Sequence, residues 1–142
     1  LPEDGVTVTA EELSELTNEV EKLRGIVSAT TLPERVKRFV FEQLNIISRA
    51  IRDYPLAGAK AFRTAVQDVI FHTGEHADIV SEYKDAPVMS GLKQIWEKTA
   101  KYAKYAINAS KFLGALDIIY HHLQGAPVAA HQLEAFVERI VR

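Results

Sequence analysis

The chain has 142 residues, 47% apolar and 25% charged, with a net charge of −2 and no cysteine. That length suits one domain with a sizeable core, and the near-neutral charge gives no global attraction to nucleic acid or anionic membrane. Without cysteine there is no disulfide framework and no thiolate chemistry, which fits a reducing cytoplasm.

No basic region followed by an apolar run is visible in LPEDGVTV, so no signal peptide is read there, and residues 1–8 are expected to form a flexible arm. The first residue is Leu rather than Met, so the chain is expected to be trimmed, tagged or cut from something longer. From Thr9 onward, residues 9–142 read as a single helical domain. Prolines at 2, 33, 55, 87 and 127 and glycines at 5, 58, 74, 91 and 125 punctuate it into helices joined by short turns.

Thr9-Ala-Glu-Glu12 is a capping box opening the first helix, and its acidic first turn suits the helix dipole. Leu13, Leu16, Val20, Leu23 and Val27 form a narrow apolar seam on it. Such a seam packs within the chain or pairs with another chain. We take Leu13, Leu16, Val20 and Leu23 as the candidate interface. Residues 1–21 carry seven carboxylates and no basic side chain.

Thr31-Leu-Pro-Glu34 reads as a second capping box, starting a helix to about Tyr54 with Val36, Phe39, Val40, Leu44, Ile47 and Ile51 on one face. Residues 53–58 read as a turn. A third helix follows to about Phe71, with Phe62, Ala65, Val66, Val69 and Ile70 inward. Between Lys22 and Arg63 there are nine basic and three acidic residues, which suggests attraction to the acidic first helix. Arg35, Lys37, Arg38, Arg49, Arg52, Lys60 and Arg63 are candidates for phosphate contact. The helix lengths and turn do not fit a helix-turn-helix, so nucleic acid is disfavoured.

His72-Thr-Gly-Glu-His76 has the spacing of the inverted zinc-protease motif, two histidines one turn apart with a glutamate between. That chemistry needs a continuous helix and a third ligand from elsewhere. Gly74 argues instead for a helix end with a left-handed glycine cap. Asp117, His121 and His122 form a second cluster at helical spacing. A short helix over 75–83, a loop over 84–89 and Ser90 as a cap precede the longest periodic stretch.

That stretch, residues 92–123, predicts one unbroken rod of about 48 Å, spanning about 91–124 in all. Its seam runs Leu92, Ile95, Thr99, Tyr102, Ala106, Ala109, Leu113, Leu116, Tyr120 and Leu123, and its second half is apolar nearly all round. Ala106, Ser110 and Gly114 leave room for a crossing helix. A last helix carries Leu133, Phe136, Val137 and Ile140.

The expected fold is therefore all-α, an irregular bundle of five to six helices around one long central helix. The expected function is a non-enzymatic protein–protein interaction module, self-associating or docking on a partner protein. An alternative is a membrane-surface effector whose lipid-facing residues are Trp96, Lys101, Lys104 and Tyr105. A third reading is a zinc-dependent hydrolase using His72, Glu75 and His76. No cofactor, resident metal or catalytic residue is assigned.

Overall fold

The computed structural model describes residues 8–104. Five helices follow in chain order: α1 Ala10–Ala29, α2 Glu34–Ala57, α3 Ala59–Glu75, α4 Ala77–Tyr83 and α5 Pro87–Ala103. No strand occurs among the described residues, and these residues form the expected all-α helical bundle.

The first capping box is present as read. The Glu12 N–H donates to Thr9 Oγ1 at 3.1 Å, and the Thr9 N–H donates to Glu12 Oε1 at 3.0 Å. The Thr9 backbone bond holds the Glu12 carboxyl below its usual range. Val8, placed in the flexible arm by the sequence reading, is tethered, its N–H donating to the Tyr54 hydroxyl at 2.8 Å.

Several expected boundaries move. The Thr31 capping box does not form; Pro33 caps α2 without a side-chain bond. Helix α2 runs through Pro55 to Ala57, so the expected turn at 53–58 shrinks to Gly58 alone. Proline so close to a helix end leaves few carbonyls short of a donor. Gly58 sits at φ 63, ψ −149, a region open essentially to glycine only. Helix α3 passes through Gly74, which is buried and helical rather than a left-handed cap, and ends at Glu75 with His76 as its C-cap. Helix α5 starts at Pro87, the favoured first-turn position, with Ala86 rather than Ser90 as its cap.

The expected rod is not confirmed. Helix α5 ends at Ala103, and Lys104 adopts a left-handed conformation, φ 67, with its N–H bonded to the Ala100 and Lys101 carbonyls. Any helical structure beyond it, including the 105–124 half of that rod and the last helix with Leu133 and Phe136, lies outside the described residues.

The principal packing partners are α1 with α2, α2 with α3, α3 with α5, and α5 with α1. Four helices thus close a ring around one core, with α4 set against α3. Leu16, Phe39, Leu44, Ile47, Phe62, Met89, Leu92 and Ile95 fill its centre, each fully enclosed. Removing such side chains from water is the main stabilising term, about 1.5–3 kcal/mol each. Among the described residues, no helix is long and apolar enough to cross a membrane.

Candidate functional site

Because α3 stays helical through Gly74, His72 and His76 lie one turn apart on the same face. Their rings are 4.4 Å apart between centroids. Phe39 of α2 stacks on His72 at 5.1 Å and 13°, and meets His76 at 5.6 Å in a tilted contact. One turn along α2 from Phe39, Glu42 and Gln43 reach the same place. The ligand atoms of Glu42, His72 and His76 all lie within 4.8 Å of one another.

A chain of hydrogen bonds fixes the protons here. The Trp96 indole N–H is a donor only, and it meets Gln43 Oε1 at 2.8 Å, so the Gln43 amide nitrogen points the other way. That nitrogen donates to Thr73 Oγ1 at 3.0 Å and lies 2.7 Å from His72 Nδ1. Thr73 in turn donates to the Val69 carbonyl at 2.6 Å. His72 Nδ1 therefore accepts, and its proton sits on Nε2, donated to Glu42 Oε1 at 3.0 Å. His76 is held through its other nitrogen. Its Nδ1 is 2.9 Å from the His72 carbonyl, which can only accept, so Nδ1 carries a proton.

The relay runs from a fully enclosed amide to a half-exposed carboxylate. Gln43 and Thr73 are buried, while the His72 and Glu42 side chains are 15% and 48% exposed. It combines two imidazoles and a carboxylate, the ligand types that suit zinc and related divalent ions. Glu75, the glutamate inside the sequence motif, is exposed and is not part of the cluster. Glu42 is the third group, supplied from α2. The sequence did hold a pointer to it: Glu42 lies 16 residues before Gly58 and His72 lies 14 after. In a helical hairpin folded at Gly58 those positions differ in height by about 3 Å.

The other candidate residues are dispersed. Leu16, Val20 and Leu23 are buried between α1 and its neighbours, and Leu13 is half-buried. The seam expected to face a partner is thus taken up inside the chain. Trp96 is buried and bonded to Gln43, so it does not face lipid; Lys101 is exposed, Lys104 half-buried, and Tyr105 lies outside the described residues. Asp117, His121 and His122 lie outside them as well.

Some of the basic candidates lie beside acids. Arg35 pins α4 to α2 through Asp78 at 3.4 Å and Glu82 at 2.9 Å, with Tyr83 beneath its guanidinium. Arg49 and Lys60 share a shallow cleft with Asp53 and Asp68. The acidic first helix reaches α5 through Glu19 and Lys98, while Glu21 pairs along the same helix with Arg24 of the basic segment at 3.3 Å. Glu19 holds the Lys98 ammonium above its usual range.

One surface feature joins residues distant in the sequence. Between α1 and α5 lies a cleft of about 230 Å³, with Leu23, Ile95 and Gly91 in its wall and Ile26 beside them. Glu19, Lys22 and Gln94 complete the lining, and Ile26 is 46% exposed. Gly91 keeps the helices close: a Cβ there would sit 3.2 Å from Leu23 Cδ1. Comparison of the chain with family models, with curated proteins and with solved structures finds no match.

Proposed function

We propose that this chain is a non-enzymatic helical interaction module of the cytoplasm that associates with itself or docks on a partner protein. The observation that carries the reading is the α1–α5 cleft, where Ile26 stands exposed over the buried Leu23 and Ile95 with charged and polar groups around it. An apolar centre with a polar rim is the anatomy of a protein-binding surface. The seam residues Leu16 and Val20 support the helix from behind, and Ile26 is the contact.

Two substitutions on α1 separate contact from support. Ile26→Asp, at an exposed position, is expected to leave helicity and thermal midpoint within a few degrees of the parent while abolishing association in light scattering. Leu16→Asp buries a charge and is expected to unfold the domain instead. A parent protein that stays monomeric at every usable concentration removes self-association. If, in addition, a photo-crosslinker at position 26 captures no protein in host lysate, the module reading is lost.

A further inference from the structure

We infer that Glu42, His72 and His76 form a binding site for a divalent transition-metal ion such as zinc, and that Gln43 couples its loading to Trp96. The donor set is two imidazoles and a carboxylate, leaving a fourth position for water. Around a tetrahedral zinc, ligand atoms stand about 3.3 Å apart, given metal–ligand bonds of about 2.0–2.1 Å. Glu42 and His72 are already 3.0 Å apart, and no pair in the cluster exceeds 4.8 Å. Closing the remaining gap takes side-chain rotations, for which the half-exposed Glu42 has room.

His76 is prepared for this role. Its Nδ1–H is held by the His72 carbonyl, the outer-shell bond that orients a metal-ligating imidazole and leaves Nε2 to coordinate. His72 is prepared for the opposite state, since Gln43 keeps its proton on Nε2. Coordination through His72 Nε2 moves that proton to Nδ1. The Gln43 amide then turns to present Oε1 to it, and its NH2 group faces the Trp96 indole N–H. The bond lost there lowers affinity by about tenfold to a hundredfold without abolishing it. It also gives the site a reporter, because Trp96 is the chain's single tryptophan.

The test uses full-length protein without a polyhistidine tag, stripped with chelator and titrated with zinc and then cobalt(II). The expected result is one equivalent bound with a dissociation constant near micromolar, visible cobalt bands of a four-coordinate site, and a saturable change in Trp96 emission. Glu42→Gln, at a half-exposed position, weakens binding at least tenfold, as does His76→Ala. Apo-state circular dichroism of both variants controls for folding. Absence of stoichiometric binding overturns the site, as does binding that neither variant alters, which places the ion on other histidines. A bound ion that leaves Trp96 emission unmoved overturns the coupling through Gln43.

Discussion

The Gln43 amide carbonyl accepts the Trp96 indole N–H at 2.8 Å, joining α2 to α5 across the diagonal of the four-helix ring. Both side chains are buried, and the remainder of the Gln43 amide is engaged by His72 and Thr73. A buried polar group of this kind is costly to leave without partners, so the bond holds the two helices in one register.

Substitutions at the two ends of that bond are expected to be strongly coupled. Gln43→Leu leaves the indole N–H and His72 Nδ1 without their partner and costs about 2–4 kcal/mol. Trp96→Phe keeps most of the apolar contact, orphans the amide oxygen and costs about 1–3 kcal/mol. The double variant is expected to be more stable than the sum of the singles by about 1 kcal/mol or more in a urea-denaturation cycle. Strict additivity would show that the bond contributes nothing beyond packing.

Two glycines with equally open surroundings are expected to respond in opposite directions. A Cβ at Gly25 or at Gly58 meets nothing within 4 Å, so sterics with neighbours do not distinguish them. Gly25 is inside α1, where alanine is the better helix former by about 1 kcal/mol; Gly25→Ala is expected to raise the thermal midpoint. Gly58 has φ 63 and ψ −149, so Gly58→Ala is expected to destabilise by about 1–3 kcal/mol. A calorimetric scan of both reads the difference in sign.

Alkaline pH is expected to weaken the fold, starting near pH 10. Burial raises the Tyr102 phenol above its ordinary value of 10.0, with nearby Glu12 adding to the rise, and the ring sits edge-on to Phe62 at 5.5 Å. A group with a raised folded pKa favours folding below its unfolded pKa, and that advantage is lost as pH climbs through the folded value. Lys98, also raised, acts in the same direction, because losing its charge ends its pairing with Glu19. Tyr102→Phe is expected to flatten the fall in denaturation midpoint between about pH 9.5 and 11. An unchanged slope would assign the loss to other groups.

The inward faces of the helices were legible in the chain itself. Leu16, Val20, Leu23, Val36, Phe39, Leu44, Ile47, Phe62, Val69, Leu92 and Ile95 are buried, at the positions their spacing marks. The Thr9–Glu12 cap was equally plain, because it is built from residues three apart. Such features depend on neighbours within one or two turns, and those neighbours are written consecutively.

Tertiary structure decided what lies between helices. Pro55 and Gly74 look like breaks, yet both are carried within helices that pack on others, while Lys104, unremarkable in sequence, takes the left-handed turn that ends α5. The seam alone leaves open whether it faces its own chain or a partner; α2 and α5 pack on α1 and bury Leu16, Val20 and Leu23. The histidine pair is plain in the chain, but the third group it needs from elsewhere is not; it comes from Glu42, thirty residues earlier than His72. Periodicity reports which face of a helix is apolar; it carries no information about which other helix will cover that face. The partners of a side chain across such an interface follow only once packing has set the helices side by side.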